Sequence, residues 1–281
     1  MPDVVTLIQM TDLHLRAGGR KLYGSLDTTA QFHEALESVV ADHDRIDALL
    51  LTGDLADRGE VDAYRDLRAR CDEFVAHTGA IVIGTVGNHD DRAAYREGFL
   101  GVAPTSEPVI DVVDIDGLRV VALDSVVPHH VYGEIDDAQL DWLADVLRQP
   151  AERATVLALH HSPIPERQSF LDLMGLREPE RLGKVLAGSD VALVVAGHVH
   201  HSLMGSLGGV PVVSAPAIAY ETEIGRGELT LRVLPTTGYC RITAHGKEVT
   251  VSAGLCRVDR TALFEATFTE ESWRDTVLNP H

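Results

Sequence analysis

Five short apolar runs, each ending in metal-type side chains, constrain this chain more than any other feature. They are Val4–Met10, Asp47–Thr52, Ala80–Val86, Ala154–Leu159 and Asp190–Ala196. Each is rich in Val, Ile and Leu and too short for an isolated helix, so each reads as a buried strand. Helical patterns separate the strands, and strand–helix alternation of this kind specifies an α/β fold with parallel sheet. Polar residues come directly after each strand: Asp12-Leu13-His14, Gly53-Asp54, Gly87-Asn88-His89-Asp90, His160-His161 and Gly197-His198-Val199-His200. In open α/β sheets, ligands bind where the carboxyl ends of strands meet their loops.

Taken singly, each segment has an ordinary structural explanation. An Asp-x-His after a strand can be a turn or cap. His160-His161 can be one buried imidazole and one exposed neighbour, and Asn88-His89-Asp90 can be a turn into a helix near Asp91. Five strand ends carrying carboxylate, amide and imidazole together are better explained by two cations held side by side, the device that attacks phosphate esters with water. Carboxylates suit hard cations and imidazoles suit iron, zinc or manganese, so the mixed oxygen and nitrogen set points to transition metals.

In order and spacing these segments resemble the signature of the calcineurin-like metallophosphoesterases over roughly the first 220 residues. His160-His161-Ser162-Pro163, Leu171-Asp172 and the short gap to Gly197-His198 are most similar to the bacterial cyclic-nucleotide and glycerophosphodiester phosphodiesterases. Gly53-Asp54-Leu55-Ala56-Asp57-Arg58-Gly59 also resembles a segment of the phosphoprotein phosphatases. The resemblance implies a four-layer α/β/β/α sandwich. It implies that Asp12, His14 and His200 hold one ion, that Asn88, His160 and His198 hold a second, looser one, and that Asp54 bridges them. Hydroxide activated by the metals would attack phosphorus, His89 would stabilise the transition state or protonate the leaving alkoxide, and Asp90 would orient the His89 ring. His161 is open to a role behind the ligands or beside the substrate, or to a structural one.

Expected substrates are small phosphodiesters, 3′,5′-cyclic nucleotides such as cyclic AMP ahead of glycerophosphodiesters. Phosphomonoester or phosphoprotein hydrolysis, and an inactive interaction module on the same fold, are the alternatives. Near the motifs only Arg16, Arg58 and Arg92 are available to clamp a dianion, which favours a diester. Pro163, Ile164, Pro165, Phe170 and Met174 are expected to form an apolar wall for a base.

A net charge of −19 disfavours long nucleic acid as a partner. With 45% hydrophobic residues, the chain can bury a large core. No basic region precedes an apolar run at the start and no stretch approaches a membrane span, so a cytoplasmic protein is expected. Cys71, Cys240 and Cys256 are scattered, without thiolate-site spacing, and buried thiols are expected.

Helices are expected from Asp27-Thr28, from Gly59-Glu60 to Ala76, from Asp136 and from Pro179 to Leu186. A hairpin is expected around Asp116-Gly117. A catalytic domain over residues 1–225 is expected to precede a β-rich extension over 226–281, with strands at Glu228–Leu234, Tyr239–Ala244 and Glu248–Ser252. The extension is open to three readings: a sheet extension and tail, a homo-oligomer contact, or a cover over the site. The polar end from Glu270 reads as a tail.

Overall fold

A computed structural model describes residues 4–166, 171–224 and 230–278. The first half alternates strand and helix: β1 (Val4–Met10), α1 (Thr28–Asp42), β2 (Ala48–Thr52), α2 (Val61–Thr78), β3 (Ile81–Thr85) and the short α3 (Arg92–Tyr95). Next come β4 (Asp111–Ile115), β5 (Leu118–Ala122), α4 (Asp137–Leu147), β6 (Thr155–Ala158), α5 (Pro179–Leu186) and β7 (Val191–Ala196). The remainder is mostly strand: β8 (Leu203–Leu207), β9 (Val210–Ser214), β10 (Glu221–Ile224), β11 (Thr230–Leu234), β12 (Thr237–His245), β13 (Glu248–Arg257) and β14 (Phe264–Thr267), closed by α6 (Glu270–Leu278).

Two large sheets stack face to face. One has the order β13-β12-β1-β2-β3, with β1, β2 and β3 parallel; the other runs β4-β5-β6-β7-β9-β8, parallel from β5 to β9 with antiparallel edges. Three separate cores define the layers. Leu7, Leu50 and Ile242 meet Val120, Val156 and Val195 between the sheets. Ile8, Leu49 and Leu51 pack on Phe32 and Leu36 of α1 and on Tyr64 and Leu67 of α2. Val121, Leu157 and Val194 pack on Leu140 and Leu143 of α4 and on Leu182 and Leu186 of α5. Successive side chains of a strand point to opposite faces, and both faces here are covered, which is why the strands read as unbroken apolar runs. The result is the expected four-layer α/β/β/α sandwich.

Helix starts obey local chemistry. Asp27, Asp91 and Asp136 each accept the backbone N–H three residues on, at 3.0, 2.8 and 2.8 Å, so a carboxylate satisfies an otherwise orphaned donor. Gly79, at φ 75°, ends α2 in the left-handed conformation. The hairpin at Asp116-Gly117 forms as expected, between β4 and β5.

Three features go beyond the sequence reading or refine it, the first in agreement with the sheet-extension alternative. The strands beyond residue 226 are not all appended: β12 pairs antiparallel with β1, Leu7 opposite Ile242, and so completes a core sheet. A β8–β9 hairpin, turning on Gly208 and Gly209 at φ 59° and 86°, is absent from the sequence expectations. Glu270–Leu278 is helical, and Trp273 buries its ring with Leu171. A third, three-stranded sheet, β10-β11-β14, stands beside the sandwich.

Candidate dinuclear metal centre

Because β1, β2 and β3 are parallel, and β6 and β7 likewise, their carboxyl ends gather the five motif loops. Backbone pairing continues beyond the strands: Asp12 N–H donates to Gly53 O at 3.0 Å and His14 N–H to Asp54 O at 2.9 Å. Asp12, His14, Asp54, His198 and His200 all lie at positive φ, between 44° and 74°. Non-glycine residues rarely adopt this region, and such strain collects at functional sites, where the surrounding fold holds it in place. Gly87 and Gly197 are required by close approach. A Cβ at Gly87 would strike the Asp54 carboxylate and backbone, and one at Gly197 would strike Thr11 and Asp12.

Asp12, His14, Asp54 and His200 form one buried group whose ligand atoms all lie within 4.8 Å of one another. His200 Nε2 is 3.2 Å from Asp12 Oδ1 and 3.2 Å from His14 Nε2. A second group gathers on His160, whose Nε2 is 3.2 Å from Asn88 Oδ1 and 3.2 Å from His198 Nδ1. Asp54 stands between them: its Oδ2 faces His14 Nε2 at 3.6 Å and His160 Nε2 at 3.4 Å, while its Oδ1 accepts the His89 backbone N–H at 2.9 Å.

This donor set fits cations. His160 Nδ1–H donates to Thr52 O at 2.9 Å and His200 Nδ1–H to Tyr220 O at 3.1 Å, so in the neutral rings each Nε2 lone pair points into the centre. Outer hydrogen bonds of this kind fix the tautomer of a metal-binding histidine. His14 Nε2 and His200 Nε2 lie 3.2 Å apart, a spacing that a proton or a cation between them satisfies. The charges show the same competition. Burial pushes the Asp54 carboxyl up, but His160, His89 and His14 hold it well below the usual carboxylate range. Burial lowers His160, yet Asp54 raises it to about 9, while burial and then His160 push His198 down to about 3. Seven candidate ligands named from the sequence are thus brought together.

His89 sits at the mouth, its side chain 41% exposed. Its Nδ1–H donates to the Asp57 carbonyl at 2.9 Å, leaving Nε2 for the opening. Burial lowers its pKa, but Asp54, the Asp57 carbonyl and the Asp57 carboxylate raise it above the ordinary histidine value. The expectation that Asp90 orients this ring is corrected. Asp90 instead accepts from Leu55 and Ala56 N–H at 3.1 and 2.9 Å, from Gly87 N–H at 2.8 Å and from Tyr64 Oη at 2.8 Å. It clamps the Asp54 loop to the Asn88 loop, and the residue holding the His89 ring is Asp57. Asp57 also faces His14 Nδ1 at 3.6 Å and Arg16 at 3.3 Å. Sequence reasoning missed this role, although Asp57 lies within the Gly53–Gly59 motif segment, which was the available signal.

His160 and His161 are both buried, so neither is an exposed neighbour. His161 Nδ1 lies 2.8 Å from Ser125 Oγ and its ring centroid is 4.6 Å from that of His198. Burial, then His198 and His160, hold its pKa well below the usual histidine value.

A cavity of about 180 Å³ opens from the centre. Its lining joins candidate ligands, His89, Tyr23 and Tyr220 to the apolar side chains of Met174, Leu231, Val233, Phe264 and Trp273. The apolar wall expected between His161 and Leu176 is borne out in part: Leu171 and Met174 border this space, and of the four named residues that are described Met174 alone does so. Pro163, Ile164 and Pro165 line a different cavity, and Phe170 lies outside the described residues. Of the candidate clamps, Arg92 is tied to Asp124 at 2.7 Å and Arg16 to Asp57. Arg58 is exposed and lines a polar cleft of about 610 Å³ on the other side of His89. Leu231, Val233, Phe264 and Trp273 bring the C-terminal region to the site, in line with the cover expected as one reading of the extension; the individual residues were not named, because apolar strand positions carry no sequence sign of what they face.

Cys71 and Cys240 are buried free thiols and Cys256 is half-buried. No helix among the described residues is long and apolar enough to cross a membrane.

Known proteins resemble this chain in sequence and in fold. A probable cyclic nucleotide phosphodiesterase of Rhodococcus erythropolis is 46% identical over 78% of this chain and 72% of its own length. A cAMP/cGMP dual specificity phosphodiesterase of Mycobacterium tuberculosis is 44% identical over 79% of this chain and 70% of its own. The solved structure of a purple acid phosphatase from yellow lupin superposes with a TM-score of 0.64 at 14% identity, over 97% of this chain and 56% of that one, a likeness of fold alone. Residues 5–202 match the calcineurin-like phosphoesterases, and with the motif loops gathered as described, the chain belongs to that family.

Proposed function

We propose that this protein is a dinuclear metal-dependent phosphodiesterase whose substrates are 3′,5′-cyclic nucleotides. The observation that carries the reading is one juxtaposition: carboxylate, amide and imidazole donors line the same cavity as a set of apolar side chains. The Rhodococcus and Mycobacterium relatives, both named for cyclic nucleotides, support the substrate class. Asp12, His14 and His200 would hold one ion, Asn88, His160 and His198 the other, with Asp54 between. Two such ions, whether iron, manganese or zinc, supply neutralisation of the phosphoryl oxygens and lower the pKa of water from 15.7 towards ~7.

The side chains supply the rest. His89 is held through Nδ1 by the Asp57 carbonyl; burial disfavours its charged form, but Asp54 and Asp57 outweigh that and favour a proton on Nε2. A proton on that atom would be available to the departing ribose oxygen. Asp90, by fixing the loops of Asp54 and Asn88, keeps the donors of the two clusters in register. Arg16 and Arg92 are engaged by carboxylates, so little fixed positive charge is left for a phosphate dianion. A diester carries one negative charge and needs less.

The test is steady-state turnover of the metal-loaded protein on a panel. The expected result is a higher kcat/KM for 3′,5′-cyclic AMP than for glycerophosphocholine or glycerophosphoethanolamine. Bis-p-nitrophenyl phosphate should likewise exceed p-nitrophenyl phosphate. A reversed first order would move the chain to glycerophosphodiesters, and a reversed second order would move it to monoesters.

A further inference from the structure

The small sheet beside the metal centre is two-faced: on its apolar face Val233 and Thr222 are buried, while Phe264 stays largely open. In the antiparallel register, Thr222, Val233 and Phe264 form one row across β10, β11 and β14, and Leu231 stands opposite Ala266 in the next. Residues directly opposite in a ladder share a face. Alternate positions carry Glu223, Arg232 and Glu265 on the other face, joined by ion pairs from Arg232 to both carboxylates. An amphipathic sheet ordinarily turns its apolar face to a packed core. Here Thr222, Leu231, Val233 and Phe264 border the cavity that ends at His14, Asp54 and His200. Phe264 remains 44% exposed, a large aromatic ring left open beside a polar site.

We propose that this face, with Trp273 behind it, is the binding wall for the nucleobase, and that Phe264 is the ring on which the base stacks. The inference rests on the cyclic-nucleotide reading of the metal centre. Among the described lining residues Asp54, a candidate ligand, is the one carboxylate, so the apolar part of the lining matches a flat neutral ring better than an ammonium group. Every base has a π-face, so stacking on an aromatic side chain binds it without demanding one sequence of donors and acceptors. Trp273 is buried against Leu171 and stands edge-on to Phe268, centroids 4.9 Å apart, which fixes the depth of the slot. In this arrangement the residues beyond 220 select the substrate, while the motif loops perform the chemistry.

The experiment compares 3′,5′-cyclic AMP with the 3′,5′-cyclic phosphate of methyl riboside, which has the same reacting group and no base. Phe264 is half exposed, so Phe264→Ala should fold. It should lower the ratio of kcat/KM for the two substrates by about tenfold, while Phe264→Tyr restores it. A binding readout runs in parallel. In a Trp142→Phe background, Trp273 is the remaining tryptophan. Its fluorescence in the metal-loaded protein should change saturably with AMP, with the midpoint raised about tenfold by Phe264→Ala, and should not respond to ribose 5-phosphate. An unchanged ratio and midpoint in Phe264→Ala would overturn the base wall. So would a loss confined to glycerophosphocholine, which would assign the slot to a quaternary ammonium. If the unaltered protein turns over neither cyclic phosphate, the functional reading fails, and the AMP titration still decides the slot.

Discussion

Asp54 is the position at which the metal assignment is most exposed to test, because one carboxylate oxygen serves both donor clusters. Asp54→Ala should bind neither ion tightly, and elemental analysis after gel filtration is the check; two retained ions would refute the bridging role. Asn88 and His89 are adjacent yet do different things. Asn88 Oδ1 faces His160 inside the second cluster, whereas the His89 ring is held outside it by Asp57. Asn88→Ala should raise the metal concentration needed for activity, and His89→Ala should lower kcat by about 10²-fold or more with metal content intact. Equal metal loss in both variants would make His89 a ligand or a support. Asp90 gives a contrasting expectation. Its carboxylate satisfies three backbone donors and a phenol, so Asp90→Ala should cost roughly 2–3 kcal/mol of stability, measured by urea unfolding, because buried donors would be left unpaired.

Elements were legible where local rules dominate. The motif-bearing strands come from apolar runs, α5 spans the expected Pro179–Leu186, and the helix at Asp136 begins where a carboxylate can cap it. Non-local facts were hidden. Nothing in Tyr239–Ala244 says that it lies beside β1, since strand pairing is decided by packing partners far away in sequence. Nor did Asn88-His89-Asp90 reveal that Asp90 turns back to Tyr64 while Asp57 reaches His89. Adjacency in sequence is a poor guide to direction on a turn. The donor residues themselves were visible because chemistry restricts the side chains that can hold a cation, whereas a substrate wall accepts any apolar residue. From the β1–β12 pairing comes a prediction about the boundary expected at 225/226. A chain ending at residue 225 loses buried Cys240, Ile242 and Ala244 and bares β1 as a sheet edge. That deficit, roughly 5 kcal/mol or more from apolar burial alone, is comparable with the whole stability of a domain. Circular dichroism with urea should find no cooperative native transition, and a normal one would show that residues 1–225 fold unaided.

Over the whole molecule, 43 acidic residues against 24 basic ones set a field that the metal centre opposes only locally. Salt bridges already engage Arg16, Arg20, Arg65, Arg68, Arg92 and Arg232, so the cations present are distributed among carboxylates rather than gathered into a stripe that could track a phosphate backbone. A small anion that reaches the cavity meets the bound ions within a few ångströms, where they dominate. A duplex must instead lay many phosphates along the acidic surface, and binding of that kind depends on counterions released by Lys and Arg contacts. Excess duplex DNA should therefore leave hydrolysis of 3′,5′-cyclic AMP unaffected. The informative condition is low ionic strength, about 0.01 M, where the Debye length is about 30 Å and any electrostatic attraction would be greatest. Inhibition there that disappears on adding salt would reveal a basic track on this surface and reopen long nucleic acids as substrates of the same centre.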